Sequence, residues 1–545
     1  MKLKKLKGIK MTEFSYSPLY KMFDFKNIKL EKISDKSGSV LKIDNKNYFK
    51  PDYDALKTIS QKSFSEINYF FSKSHLKALS EILKDKESSE NDRFVAKKLI
   101  ENAVISSSKI FPLCQDTGTA TIAGEKGNFV LTDFDEKKAL SEGIYNTYKN
   151  ENLRYSQLVP VTCFDEFNSN TNLPAQIDIY SGQGNELKFL FAAKGGGSSN
   201  KTFFFTENKS VLNPENLYSF LDFHIKKIGT AACPPYNIGI VIGGTSPEAN
   251  LKALKLLTTG TLDHIGYFKS NDFYALRDME IEKMVSDISI NTKLGAQYGG
   301  KYFALSSKVL RLPRHGASVF IGIGVSCYAH RNQLGLINEN GIYLEEKEKD
   351  PAKYLPQEKI NFKNPVEINL SQPMNKIREE LSKLKVSSPV LLNGTIIVAR
   401  DIAHSKIMEI LKTEKKLPDY MKNHPVYYAG PAKVPQGFSS GSFGPTTSAR
   451  MDSYVEKFQE NQGSLIMIGK GNRSSVVRDS CKKFKGFYLG AIGGAAALVG
   501  KECIKSVKVL DFEELGMEAV FKIEVKNFPA FLITDDKGND FFESI

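Results

Sequence analysis

Beyond Ser107 the chain runs in short apolar stretches, each closed by a glycine turn: "IFPLCQDTGTATI", "LKFLFAAKGGGSSN", "YNIGIVIGGTSPE" and "GASVFIGIGVSCYAHR". Short apolar runs bounded by Gly, Pro and Asn are the pattern of buried strands. Helical spacing interrupts them in "EANLKALKLLTTG", which follows Pro247. Upstream, from about Tyr53 to Ser107, apolar residues recur every three and four positions through "INYFFSKSHLKALSEILK" and "FVAKKLIENAVI". The segment "DKESSEND" between these helices reads as a solvated connection. The first region is therefore a mixed α/β domain with a helical start, followed by strands and glycine turns.

From Glu345 to Asn375 the chain turns polar and carries Pro351, Pro356, Pro365 and Pro373, which argue against a helix or a central strand. We place a linker there, at residues 345–375, between an N-terminal domain of residues 1–344 and a smaller C-terminal domain of residues 376–545. The last region holds "PVLLNGTIIVARDIAHSKIMEILK", "PVYYAGPAKV", "SLIMIGKGN" and "AVFKIEVKNFPAFLITDDKGN". Its β-branched and aromatic runs predict a β-rich domain.

The net charge of +13 raises the question of nucleic acid, but the lysines are scattered among glutamates and form no long basic block outside the first ten residues. A basic balance suits small anionic substrates, because positive clefts focus the field on them. No nucleic-acid partner is expected. The stretch "GFYLGAIGGAAALVG" is short and glycine-rich for a membrane span, so no membrane partner is expected either. "MKLKKLKGIK" has five lysines but lacks the apolar core of a secretory signal. We read a cytoplasmic protein, with a mitochondrial matrix location and a start at Met11 as alternatives.

Six cysteines stand at positions 114, 163, 233, 327, 481 and 503, too few and too far apart for a disulfide framework in a chain of this length. No pair has the spacing of a zinc ribbon or a redox dithiol. Taken singly, a cysteine is more often a small buried hydrophobe than a ligand. The neighbourhoods of three set them apart: Cys114 precedes Gln115, Asp116 and Thr117, Cys233 sits in "AACPPYNIGI", and Cys327 lies in "GVSCYAHR", all beside glycine-rich turns. Three thiolates brought together by a fold would leave one iron of a four-iron cluster without a protein ligand and open to substrate. Cys163, Cys481 and Cys503 lack such surroundings and read as structural.

Polar residues stand at strand ends and glycine turns elsewhere, where scaffolds present groups to ligands: Arg154, the triple glycine with Gly197, His315, Arg400, Thr446, Arg450 and Lys470. Nucleotide binding fails on spacing, because "GSLIMIGKG" has one residue too many before Gly-Lys and no Ser or Thr after Lys470.

Taken in order, "PLCQDTGT", "AAKGGGSSN", "CPPYNIGIVIGGTSPE", "GVSCYAHR", "GTIIVARDIAH", "GPTTSARMDSY" and "IGKGN" resemble the class I, iron-sulfur-dependent fumarate hydratases. Related L-tartrate dehydratases share the motifs but divide the two regions between separate subunits. The resemblance implies a cluster-holding α/β N-terminal domain, a swivelling C-terminal domain, and a homodimer with active sites in clefts between domains. It implies a [4Fe-4S] cluster on Cys114, Cys233 and Cys327 with one iron free for a dicarboxylate substrate. It also implies a pocket lined by Gln115, Asp116, Arg154, Gly197, His315, Arg400, Thr446, Arg450 and Lys470.

The implied reaction is the hydration of fumarate to (S)-malate, a step of the citric acid cycle. Tartrate and methyl-substituted malates such as mesaconate are alternative substrates, and a non-catalytic iron-sulfur sensor or electron carrier is an alternative role. For proton transfer Thr446 is nominated as the base at C3, with Asp116 and His315 on the acid side. A threonine hydroxyl is intrinsically a poor base, so this role calls for an activating neighbour.

Overall fold

The computed structural model describes residue 14 and residues 16–269, 272–356 and 365–543. The lysine-rich start, Met11 and the middle of the expected linker lie outside these residues. The periodic segment forms three helices, Tyr53–Tyr69, Lys73–Lys84 and Glu90–Ser106. Ser72 and Ser89 cap the second and third, accepting from the backbone N–H of His75 and Asp92 and so satisfying donors that a helix start leaves unpaired. Leu76, Leu79 and Ile82 of one helix meet Val95 and Leu99 of the next in a shared core.

The connection between them is shorter than the polar run suggested. Asp92 is wholly buried, accepting from Ala296 N at 2.7 Å and Lys301 N at 2.9 Å. A carboxylate leaves water when backbone donors from another loop replace its hydration, and no local pattern announces that loop.

Two sheets follow. One has six strands in the order Leu30–Ser34, Gly341–Glu345, Asn332–Asn338, Leu187–Lys194, Thr119–Gly127 and Gln176–Gly182. The other has five, in the order Leu276–Arg277, Ala304–Arg314, Tyr236–Gly244, Val319–Ser326 and Phe203–Glu207. The helix Pro247–Thr258 begins at the Ser246 cap, as the Pro247 signal indicated.

The last unit departs from the β-rich expectation. Five parallel strands, Val366–Asn369, Pro389–Val398, Val426–Tyr427, Ile466–Gly469 and Phe487–Ala491, stand in register with one another. Helices Met374–Leu381, Asp401–Glu414, Asp452–Glu460 and Ser475–Phe484 alternate with them, so the unit is α/β. The long strand Val520–Thr534 and its partner Ile504–Asp511 add antiparallel structure to this sheet, and Ala429–Pro431 pairs antiparallel with Phe443–Pro445 beside it. The helix in "ARDIAHSKIMEILK" was hidden by its β-branched residues, although Ala403, Ile407 and Leu411 keep a strict spacing of four and are buried, with His404 beside them. Val366–Asn369, in the proline-bearing stretch expected to be linker, pairs at the sheet edge, which is where proline-flanked strands are tolerated.

The two units pack closely. A single apolar cluster runs from Leu76 and Leu99 to Tyr488 and Phe531, and Tyr298 stacks on Phe531 with ring centres 4.4 Å apart. Ser442 Oγ donates to Pro112 O at 2.6 Å, and Leu498 N donates to Asn102 Oδ1 at 3.0 Å. Among the described residues no helix is long and apolar enough to cross a membrane.

Candidate active site

Strand register brings the three singled-out cysteines together. Tyr236–Gly244 pairs with Val319–Ser326 so that Asn237 faces Ser326, which sets the residues before one strand beside those after the other. Tyr328 N donates to Cys233 O at 3.0 Å across this junction. In the other sheet Thr119 faces Lys194, so the "PLCQDTG" turn meets the triple glycine. Cys327 N then donates to Ser198 Oγ at 3.2 Å, tying the cysteine between the sheets to the same turn. Cys233 sits at φ 63°, in the left-handed region that a non-glycine residue adopts only when its surroundings fix it.

The parallel sheet supplies the opposite wall. In such sheets ligands bind beyond the carboxyl ends of the strands. Here those ends carry Arg400 after Pro389–Val398, Lys470 after Ile466–Gly469 and Gly493 after Phe487–Ala491. Thr446 is anchored by its N–H to Tyr428 O at 2.8 Å. Gly493 must lack a side chain, since a Cβ there would collide with Cys233 Sγ. Gly444 is under the same demand from the Gln115 amide, which donates to Pro445 O at 3.1 Å.

The walls enclose a cavity of ≈ 280 Å³. Cys114, Cys233 and Cys327 line it with Gln115, Asp116, Arg154, Gly197, Arg400, Thr446, Arg450 and Lys470. His315 does not. It occupies the exposed turn between Ala304–Arg314 and Val319–Ser326, where Nδ1 accepts from Ala317 N at 3.2 Å. Pairing it with Asp116 on the acid side is therefore not available within one chain. The motif around it is the turn joining Ala304–Arg314 to Val319–Ser326, two strands that flank Tyr236–Gly244 on opposite sides, and it lies at the far end of the strand that leads to Cys327; sequence proximity to a site motif did not reveal that direction. Cys481 and Cys503 are buried elsewhere and Cys163 is exposed; none lines this cavity.

Burial pushes the Cys114 thiol up to about 12 and raises that of Cys233, against the pull of Lys470. Lys470 Nζ lies 3.0 Å from Cys233 Sγ; burial would lower its pKa, but the cysteines around it hold it above the usual lysine value. Burial also acts to raise Asp116, yet Arg154, Arg331 and the Gly196 N–H at 2.8 Å outweigh it and hold the carboxyl below the usual range. Arg400 is pushed down to about 10 by burial, although Glu518 lies 2.6 Å away, and burial raises Glu518 in turn. Both members of that pair are displaced toward neutrality, so desolvation outweighs their attraction. No hydrogen bond joins Thr446 Oγ1 to a carboxylate or imidazole among the described residues.

Several residues here carried no expectation. Arg331 lines the cavity from the turn after Cys327 and was visible only as half of a basic pair. Glu518 and Asp401 hold Arg400 and Arg450 respectively. Gln297 donates to Pro234 O at 3.0 Å and Gly493 O at 2.8 Å, joining the Cys233 turn to the C-terminal unit. Carboxylates and amides of this kind stand in ordinary polar stretches, and only the tertiary fold shows what they face.

Among the described residues no three Cys, His, Asp or Glu side chains close on a point sized for one metal ion. Cys114, Cys233 and Cys327 nonetheless line one cavity, and three sulfur donors so gathered suit a group of several atoms.

A family profile described as "Fumarate hydratase (Fumerase)" matches residues 57–335, and one described as "Fumarase C-terminus" matches residues 341–545. The chain is 48% identical over 543 residues to "Fumarate hydratase 1, mitochondrial" of Leishmania major, covering 98% of each chain. It is 49% identical over 509 residues to "Fumarate hydratase class I, aerobic" of Escherichia coli strain K12, covering 93% of each. A "Putative L(+)-tartrate dehydratase subunit beta" of Methanocaldococcus jannaschii is 39% identical over 172 residues, 31% of this chain and 88% of that protein.

Proposed function

The chain belongs to the fumarate hydratase family, and we infer that it is a hydro-lyase catalysing the reversible hydration of fumarate to (S)-malate. The observation that carries this is the coverage: the likeness runs through both units, and the cavity between them is lined from both. The tartrate relative matches only 31% of the chain, so tartrate is the weaker substrate reading.

We assign a [4Fe-4S] cluster to Cys114, Cys233 and Cys327; that all three cysteines line one cavity supports it. When bound, such a cluster supplies a Lewis-acid iron with a position free for substrate oxygen. The thiol pKa values agree with this need, because buried thiols remain protonated until a metal compensates their charge.

A dicarboxylate brings two anionic ends, and the cavity offers Arg154, Arg331, Arg400, Arg450 and Lys470. Planar guanidinium forks suit carboxylates, and Lys470 adds a point charge where negative charge develops during proton removal. The poorly compensated Arg400–Glu518 pair leaves a cation ready for a substrate carboxylate. Asp116, held ionised by its arginines, takes the proton-handling role on the hydroxyl side. Thr446, which lines the same cavity as Arg450 and Lys470, is the residue we assign to the proton at C3.

We read the active protein as a homodimer. A turn exposed in one chain is available to another, so a second copy is the route by which His315 joins a site. Swivelling of the C-terminal unit belongs to the same reading, since substrate must pass between closely packed walls. The test is anaerobic reconstitution with iron and sulfide, then assays on malate, fumarate, tartrate and mesaconate. Turnover of malate and fumarate is expected to exceed the others; dominant tartrate or mesaconate turnover would reassign the substrate.

A further inference from the structure

A second chamber, ≈ 180 Å³, lies behind the Gly195–Ser198 turn. Lys194, Lys255 and Arg331 wall it with Thr121, Ser199 and Thr258. Ser198, Cys327 and Arg331 line both this chamber and the active-site cavity, so a thin wall separates them. Register explains the convergence. Lys194 ends the strand that pairs with Thr119–Gly127, Ala193 N donates to Arg331 O at 3.0 Å, and the helix Pro247–Thr258 carries Lys255 over the same strand ends.

The positive charge here has no carboxylate in direct contact, although Asp116 acts on Arg331 from the active-site side and Asp178 acts on Lys255 from a distance. Arg331 is only 4% exposed; it donates to Asn68 Oδ1 at 3.2 Å, but its Nε is buried without a hydrogen-bond partner. Lys255 Nζ donates to the neutral Gln176 amide at 2.5 Å. Among the described residues none of the three cations has a carboxylate within ion-pairing distance. Like charges gathered in a partly dry space repel one another and lose hydration, which is unfavourable unless an anion joins them. Flanking hydroxyls add neutral donors, and the space is several times that of one water.

We propose that this chamber is a second anion-binding site that takes a small dianion, either a dicarboxylate or inorganic phosphate. The charge argument stands without the reaction assigned next door; only the dicarboxylate alternative rests on that reading. A dianion held here stands one wall away from the cluster cysteine Cys327.

Anaerobic isothermal titration of the holoenzyme with malonate, a dicarboxylate that cannot be hydrated, tests the proposal. Wild type should bind one more malonate per chain than a Lys194→Gln/Lys255→Gln variant of equal iron content. Lys194→Arg, which keeps the charge, should retain the extra site and guards against a variant that merely misfolds. Prior saturation with phosphate separates the two ligands: loss of the extra malonate site shows that the chamber also accepts inorganic dianions, and its survival shows selection for dicarboxylates, each on a site the proposal requires. Equal stoichiometry in wild type and the double variant overturns the proposal. Absent fumarate turnover would sink the assigned reaction instead and leave this difference in stoichiometry intact.

Discussion

Lys470 Nζ stands 3.0 Å from Cys233 Sγ, so a residue at the end of a C-terminal strand closes directly on a cysteine of the first unit. If that cation stabilises charge on the substrate, Lys470→Met should keep its iron and lose about 10²-fold in kcat/KM, the size typical for removing one such group. Parallel loss of iron and activity would make Lys470 a support of the cluster instead.

Gly493 touches the same cysteine from the same sheet. Because a Cβ there would collide with Cys233 Sγ, Gly493→Ala should lower iron bound after reconstitution and destabilise the chain by about 1–3 kcal/mol. Iron analysis and urea unfolding of the variant report the two effects separately.

The exposed position of His315 gives a third expectation. His315→Asn and Thr446→Ala should each be nearly inactive alone, while dimers formed by mixing the two chains should recover about a quarter of wild-type activity, since half the dimers are mixed and each has one intact site. Absence of recovery would mean that both residues serve the same chain.

Acid sensitivity follows from two buried histidines. Burial pushes His75 and His404 down to about 4, outweighing the hydrogen bonds each makes to a backbone carbonyl. A folded-state pKa below the unfolded value of about 6.5 means the unfolded chain binds more protons, so the stability these groups contribute is full above pH 6.5 and is lost as pH falls toward 4. The loss reaches at most about 3 kcal/mol per histidine. Urea midpoints of the apoprotein should fall across this window, and His404→Gln should flatten part of the slope.

What could be read from the sequence was whatever is local. Helical periodicity gave the helical start, though not the break at Phe70–Ser72 that divides "INYFFSKSHLKALSEILK" between two helices, and the Pro247 signal gave the helix that follows Ser246. Cysteines beside glycine turns marked the cavity, because a strand end followed by glycine is a local pattern. What depends on a distant partner could not be read. Asp92 looks solvated until the 295–301 loop covers it, and Glu518 sits in an unremarkable polar run until Arg400 faces it. The α/β character of the last unit was missed because Ile402 and Ile407 read as strand residues when the spacing of the buried ones was not weighed.

The central claim is that Cys114, Cys233 and Cys327 together hold the metal group on which dicarboxylate hydration depends. Anaerobic reconstitution of wild type and the three single Cys→Ser variants, with iron, sulfide and fumarate hydration measured on each preparation, tests it most directly. The account predicts about four irons per chain and full activity in wild type only, with each variant losing most of its activity and Cys163→Ser behaving as wild type. A metal-free preparation that hydrates fumarate undiminished, or any of the three variants retaining wild-type turnover, would contradict it.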